Sequence, residues 1–258
     1  MKALLFCTSN KIIRYLLQTR LFDEISILVF TKDKLFIESD LINRLNVIRK
    51  ASCKKDFSFL LKKFDKSYRC FSFGCSYIFD QSDINHFDFP ILNFHTGLIP
   101  ENRGRTPLFW DIVNNASHSY GTLHAINSDI DMGIKLDIVK TSIIENDNPR
   151  TLADKLVTQL IKSKLLIKWL TSSIEDIKSN QTNLSKGEYR ESFSPSKNYL
   201  SKEYTYDFFI RLWRCYKIWG RIKINGIYLK EISRKNINKD SFEFVTSDNL
   251  ILYGVKLD

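Results

Sequence analysis

Apolar positions in this chain come in two spacings, and the switches between them mark out its elements. Ala3–Cys7 is a continuous apolar run, too short for a helix and stopped by Thr8-Ser9-Asn10-Lys11, so it reads as a strand buried on both faces. Ile12, Leu16 and Leu17 follow at helical spacing. Ile25–Phe30 is a second buried strand, and Val47–Ile48 begins a third. Phe57, Leu60, Leu61 and Phe64 lie at i, i+3, i+4 and i+7, with Lys54, Lys55, Lys62 and Lys63 on the wet side of that helix. Tyr68–Phe73, ending at Gly74, and Pro90–Phe94 are further strands. Strands alternating with helical patterns predict βαβ units, hence an α/β fold with a mostly parallel sheet.

Beyond residue 100 the pattern continues. Thr106-Pro107 opens a helix running to about Asn114, with threonine as cap and proline at the first helical position. Ser119–Ile126 and Ile134–Thr141 read as strands flanking an acidic loop, Asn127–Gly133. Thr151-x-x-Asp154 has the form of a capping box, and Leu152, Leu156 and Leu160 carry the helix it starts to about Leu170. A polar stretch rich in Ser, Asn, Lys and Thr follows. After it, Tyr206–Tyr216 is helical, and Arg221–Lys230 alternates around Asn225-Gly226, a dipeptide suited to a two-residue hairpin turn. Phe242–Val245 and Leu250–Val255 are further strands. The predicted division is an N-terminal α/β domain over 1–178, a linker over 179–200 and a small β-rich module over 201–258.

Composition narrows the setting. A hydrophobic share of 43% with 26% charged residues is that of a soluble globular protein. No apolar run approaches the length that crosses a bilayer, and the first strand is too short for a signal-peptide core, so a cytoplasmic, membrane-free protein is expected. Five cysteines, none in a C-x-x-C pair and most in apolar contexts, read as buried thiols rather than a disulfide framework or a zinc site. The net charge of +10 admits nucleic acid, a small polyanion or a merely solvated surface. The lysines are spread; the densest basic group, around 211–235, is interleaved with Trp213, Tyr216, Trp219 and Tyr228.

The candidate chemistry lies between Pro90 and Gly133. Ligands of parallel sheets bind beyond the carboxyl ends of the strands, where Gly74–Ile78 and the pair Asn93 and His95 fall. On a strand, residues two apart share a face, so Asn93 and His95 present an amide beside an imidazole. Asp131 in the acidic loop can complete the group, with Asp129 as its competitor. His124 is read as facing a core or a neighbouring strand. The loop after the first strand has no glycine, so neither a dinucleotide fingerprint nor a P-loop is present.

The longer string is more specific. Asn93-Phe94-His95-Thr96-Gly97-Leu98-Ile99-Pro100, then Arg103-Gly104, Gly121-Thr122-Leu123-His124 and Asp131-Met132-Gly133 resembles the folate-dependent formyltransferase family, well over residues 68–140 and more loosely in the C-terminal module. Thr96-Gly97 and Met132 depart mildly from the family pattern. Within the family, His95–Leu98 and Asn102–Trp110 look most like the sugar-nucleotide N-formyltransferases.

That resemblance implies a Rossmann-like domain with helices on both faces of its sheet, carrying catalysis by Asn93, His95 and Asp131. It implies 10-formyltetrahydrofolate as donor, held near Ser76, Tyr77, Ile78, Asn127 and Asp129, with no metal. The implied acceptor is a dTDP-linked amino-dideoxysugar, dTDP-4-amino-4,6-dideoxyglucose being the expected one, destined for bacterial surface polysaccharide such as O-antigen. Thr96, Gly97, Asn102, Arg103, Gly104 and Arg105 are its expected contacts. Either arginine can neutralise the diphosphate or remain a solvated charge, and Trp219 can stack on the base or pack in the module's core. A homodimer is expected, with no nucleic-acid partner. Methionyl-tRNA formyltransferase is the alternative, sharing donor and motif.

Overall fold

A computed structural model describes residues 1–31, 33, 37–180, 187, 189–190, 204–216, 222–224, 227–235 and 241–256. Its strands are β1 (Lys2–Cys7), β2 (Glu24–Phe30), β3 (Val47–Ala51), β4 (Arg69–Phe73), β5 (Leu92–His95), β6 (Arg103–Gly104), β7 (His118–Ala125), β8 (Ile134–Ser142), β9 (Tyr189–Arg190), β10 (Ile222–Ile224), β11 (Ile227–Ser233), β12 (Ser241–Val245) and β13 (Ile251–Lys256). The helices are α1 (Asn10–Thr19), α2 (Ser39–Ile42), α3 (Lys54–Leu61), α4 (Gln81–Ile84), α5 (Pro107–Val113), α6 (Pro149–Lys162), α7 (Leu165–Thr171), α8 (Ile174–Ser179) and α9 (Tyr206–Tyr216). Packing gathers them into two units. One holds Met1–Gly104, Tyr120–Thr141 and Lys155–Tyr189; the other holds Arg105–Ser119, Ser142–Asp154 and Arg190–Asp258. The units therefore interleave along the chain instead of meeting at one point near residue 178, and most of 179–200 lies outside the described residues.

The first unit is built on a seven-stranded sheet in the order β3-β2-β1-β4-β5-β7-β8. From β3 to β5 all neighbours are parallel, and β7 joins β5 antiparallel. This is the α/β architecture expected from the alternating pattern. After β1 the chain winds outward through β2 and β3, then returns to lay β4 on the other side of β1. That reversal opens the carboxyl ends of β1 and β4, the customary ligand crevice of such sheets, and β5 stands next to it.

The apolar runs are buried as doubly covered strands require. Ala3 to Phe6 have no exposed surface. One core cluster joins Phe6 of β1, Phe30 of β2, Phe57 and Leu61 of α3, Tyr77, Phe79 and Phe87. Its aromatic rings meet mostly tilted or edge-on, while Phe57 and Tyr77 stack at 3.9 Å. Lys54, Lys55, Lys62 and Lys63 are exposed, so the amphipathic reading of α3 holds. On α1 the buried stripe is Ile12, Ile13 and Leu16, with Leu17 only half-buried.

Three local expectations are corrected. Thr106 precedes α5 in the left-handed region (φ 57°) and makes no side-chain cap. Asn148, not Thr151, caps α6: its side-chain oxygen accepts the N–H groups of Arg150 (2.9 Å) and Thr151 (3.1 Å). Thr151 reciprocates by accepting the Asn148 N–H at 2.9 Å, and Pro149 fills the first helical position. The long helix also breaks. The Ser163 hydroxyl donates to the Gln159 carbonyl at 2.8 Å and Lys164 turns left-handed (φ 58°), so α6 ends at Lys162 and α7 starts anew.

The second unit packs α9 beside α5, with Phe109 and Tyr216 edge-on at 6.1 Å. Arg211 donates through Nε to the Val113 carbonyl at 3.0 Å, occupying an orphan acceptor at the end of α5. Its four-stranded antiparallel sheet runs β10-β11-β13-β12. Ile224 pairs with Ile227, the register a two-residue turn requires, while Asn225 and Gly226 themselves lie outside the described residues, as does Trp219. All five cysteines are free; Cys7, Cys70 and Cys215 are buried, but Cys53 is exposed.

Candidate active site

The polar face of β5 is larger than the sequence pattern indicated. Asn93 pairs with His124 and His95 with Thr122 across the β5–β7 ladder. Directly opposed residues share a face, so four polar side chains stand together there. On the other face Phe94 meets Phe73 at 5.8 Å and lies over Gly121, where a Cβ would come within 2.4 Å of the ring. Gly121 is thus the gap that lets this aromatic clamp the strand.

His95 is 8% exposed, hydrogen-bonded at one ring nitrogen and facing a carboxylate with the other. Its Nε2–H donates to the Asn102 carbonyl at 2.9 Å. Its Nδ1 stands 3.5 Å from Asp131 Oδ1. With the proton committed to Nε2, the Nδ1 lone pair faces a carboxylate, with no proton between them. A proton arriving on Nδ1 converts that gap into a charge-assisted hydrogen bond. Asp131 is fixed in turn by the Gly104 N–H, which donates to Oδ2 at 3.0 Å. Asp131 sits at φ 54°, in the left-handed region that Asp tolerates better than most residues.

Asn93 is oriented by His124, which the sequence reading set against a core or a neighbouring strand and which here faces the neighbouring strand β5. Its Nδ2 donates to His124 Nε2 at 3.0 Å. His124 is 2% exposed, and this burial depresses its pKa from 6.5 to about 4, against the opposing pull of Asp131 3.9 Å away. Neutral at ordinary pH, it offers a lone pair to the amide. The second Nδ2 proton of Asn93 is left for another acceptor. The signal that could have found His124 is the strand alternation, which puts it on the face of Thr122; the register with Asn93 was not legible.

A depressed histidine pKa has a definite sign in stability. The unfolded chain binds the extra proton from about pH 6.5 downward, the folded chain only near pH 4. Stability from this group is full above pH 6.5 and is lost as pH falls toward 4. Urea midpoints measured at pH 7.5, 6 and 5 are expected to drop faster for the natural protein than for His124→Gln. Equal slopes would show that His124 is not buried neutral.

Asp131 rather than Asp129 reaches the imidazole; Asp129 is exposed, and its N–H donates to Asn127 Oδ1 at 3.2 Å. Asn127 Nδ2 donates to the Met132 carbonyl at 3.1 Å, closing the acidic loop on itself. The loop then returns against β7 so closely that a Cβ on Gly133 would lie 1.6 Å from the Ala125 carbonyl oxygen.

The expected donor residues divide. Tyr77 is a core residue: it is 7% exposed, stacks on Phe57, and its hydroxyl donates to Asp83 Oδ2 at 2.6 Å. Burial, reinforced by that carboxylate, pushes its phenol pKa up. Its side chain is therefore not presented to a ligand. Ile78, between buried Tyr77 and Phe79, is turned outward and is 46% exposed. Ser76 is exposed, with its N–H donated to Asp33 Oδ2 at 3.3 Å. Asn127 borders a cleft of about 930 Å³ whose walls include Ile84, Phe87, Pro90, Ile126 and Met132. Ser76, Tyr77, Ile78 and Asp129 do not line it.

Of the expected acceptor contacts, Thr96 is half-buried at the end of β5, and Gly97 is buried with its carbonyl accepting the Thr122 hydroxyl at 2.7 Å. Arg103 lies over the Tyr189 ring at 5.9 Å, within cation–π range. Arg105, in the second unit, is exposed and donates its N–H to the Arg190 carbonyl at 2.9 Å. Among the described residues no cluster of three or more His, Cys, Asp or Glu has metal-binding geometry, and no helix is long and apolar enough to cross a membrane.

No known family's sequence profile matches this chain. Among curated proteins, methionyl-tRNA formyltransferase of Bacteroides thetaiotaomicron is 27% identical over 84 residues, 33% of this chain and 26% of that protein. The bifunctional polymyxin resistance protein ArnA of Wigglesworthia glossinidia brevipalpis is 33% identical over 87 residues, 33% of this chain and 13% of that protein. These matches thus span about a quarter or less of the relatives' own length. Solved structures match far more of the chain. WlaRD, a sugar 3N-formyl transferase solved with dTDP and 5-N-formyl-THF, superposes with a TM-score of 0.68 at 17% identity, covering 100% of this chain and 98% of that one. The N-formyltransferase of Helicobacter canadensis, in complex with folinic acid and dTDP-3-aminofucose, gives 0.67 at 15% identity, covering 99% of each. A 4-N formyltransferase of Francisella tularensis gives 0.58 at 16% identity, covering 100% and 97%. From its first strand to its last, the chain has the fold of the sugar N-formyltransferases.

Proposed function

We propose that this protein transfers the formyl group of 10-formyltetrahydrofolate to the amino group of a dTDP-linked amino-dideoxysugar, dTDP-4-amino-4,6-dideoxyglucose being the acceptor the sequence favours. The observation that carries the reading is the group formed by Asn93, His95 and Asp131 at the end of β5, each set by neighbouring backbone or side chains. Solved structures of the same fold, one with dTDP and 5-N-formyl-THF and one with folinic acid and dTDP-3-aminofucose, support a folate donor and a dTDP-linked acceptor.

The residues suit the reaction. A neutral amine attacks the formyl carbon; a C–N bond forms and the carbonyl electron pair moves onto oxygen. The free N–H of Asn93 meets that oxyanion, and its orientation by His124 costs no reorganisation at the moment of reaction. The adduct's ammonium then loses a proton to His95 Nδ1, and Asp131 stabilises the resulting imidazolium. Collapse restores the carbonyl and breaks the bond to the folate nitrogen, which leaves with a proton. No step needs a metal. The cleft beside Asn127, walled by Ile84, Phe87 and Ile126, is the place for the pterin, and Arg103 is the cation for the acceptor's diphosphate. Ser76, Ile78 and Asp129, exposed but outside the lining of that cleft, stay in the proposal as contacts of the donor beyond it. A cytoplasmic homodimer serving surface-polysaccharide assembly completes the proposal.

The test is incubation of dTDP-3-amino and dTDP-4-amino sugars with 10-formyltetrahydrofolate, with products read by mass. A formamido sugar from one of them is expected. Formyl transfer to initiator methionyl-tRNA instead, with affinity falling steeply with salt through counterion release, would favour the second reading, which the partial matches to methionyl-tRNA formyltransferases support. Failure with all three acceptors would end the formyl-transfer reading.

A further inference from the structure

Thr122 has no exposed surface and stands opposite His95 in the β5–β7 register. Its hydroxyl is used twice on one loop: it donates to the Gly97 carbonyl at 2.7 Å and accepts the Ile99 N–H at 3.2 Å. The loop runs on to Asn102, whose N–H is donated back to the Leu98 carbonyl at 2.6 Å and whose own carbonyl accepts His95 Nε2–H at 2.9 Å. Two residues later the Gly104 N–H donates to Asp131 Oδ2. One short stretch of backbone thus holds both the imidazole and the carboxylate, and Thr122 grips its beginning.

That grip matters because His95 has two competing acceptors. A carboxylate is a stronger acceptor than a peptide carbonyl. Asp131, however, lies at 3.5 Å, beyond good hydrogen-bonding distance, whereas the Asn102 carbonyl lies at 2.9 Å. Distance alone gives the carbonyl the imidazole proton. If the loop relaxed away from His95, the proton would pass to Nδ1 and bond to Asp131, and the basic nitrogen would turn toward the loop.

We propose that Thr122 is a positioning residue: by holding Gly97 and Ile99 it places the Asn102 carbonyl so that His95 keeps its proton on Nε2 and presents Nδ1 as the base beside Asp131. The kinetic half of the test rests on the formyl-transfer reading; the tautomer half does not. Nitrogen-15 spectra of the four imidazoles, with His95 assigned by its loss in His95→Gln, read the tautomer directly. His95 is expected to be Nε2-protonated in the natural protein and in Thr122→Ser. In Thr122→Val the proton is expected to move partly or wholly to Nδ1. Turnover should fall in Thr122→Val by about 10- to 100-fold, the scale of a misplaced catalytic group, with KM for either substrate within about threefold, and recover in Thr122→Ser. Thr122→Ala carries the same test if the valine variant does not fold. An Nδ1-protonated His95 in the natural protein would overturn the proposal, as would a valine or alanine variant that keeps the Nε2 tautomer and full turnover. Should no formyl transfer be found for the natural protein, the reaction assignment fails, and the tautomer comparison still decides the role of Thr122.

Discussion

His95→Ala is expected to lower kcat for formyl transfer by about 10²- to 10⁴-fold, the range of a lost acid–base group, while the protein stays folded. The loss falls on the chemical step because Nδ1 is the one imidazole nitrogen free of a protein proton, and it faces the carboxylate that would stabilise its cation. The fold should survive. His95 ends a four-residue strand whose pairing to β4 and β7 is by backbone, and the opposite face keeps Phe94 packed over Gly121. Asn93→Ala provides the comparison, with an expected cost of about 2.7–4 kcal/mol in the barrier for losing one oxyanion donor. Steady-state kinetics beside thermal unfolding separate the two effects. Near-full turnover in folded His95→Ala would remove His95 from the chemistry.

Gly133→Ala is expected to damage stability and activity together. An added Cβ would sit 1.6 Å from the Ala125 carbonyl oxygen and 3.3 Å from the Asn127 amide nitrogen, so backbone, not a flexible side chain, must give way. Overpacking against a rigid neighbour costs about 3 kcal/mol. The displaced strand carries His124 one residue before Ala125, and the displaced loop carries Asp131 two residues before Gly133. Both supports of the Asn93–His95 pair should therefore shift at once. Urea unfolding and kcat on the same preparation check this; a variant of normal stability and normal turnover would show that the close approach does not hold the loop.

These expectations differ in how far they were legible beforehand. The order and kind of the main elements followed from periodicity, because burying one stripe of a helix or both faces of a strand needs only local spacing. The resemblance placed Asn93, His95 and Asp131 together, and the structure brings Asp131 Oδ1 to 3.5 Å of the imidazole. The resemblance implied Tyr77 as a donor contact, and what it did not convey is that α3 and Asp83 give its ring and hydroxyl a buried partner each. The cap of α6 was misplaced by three residues because Asn148 and Thr151 are both competent caps, and only the path of the chain before Pro149 chose between them.

What the amino-acid sequence by itself determined is therefore the set of elements, the α/β class and the residue types of the candidate site. The elements and the class depend on spacing within a few residues; the site residues come from the longer string that carries the family resemblance. Only the tertiary structure decided the cross-strand register of β5 with β7, which brings His124 to Asn93 and Thr122 to His95. It also decided the return of the Asp131 loop onto β7 and the division of the chain into two interleaved units. Register depends on packing between residues nearly thirty apart, such as Phe94 over Gly121, and the loop return on the close approach of Gly133 to the Ala125 backbone across the turn; local periodicity specifies neither.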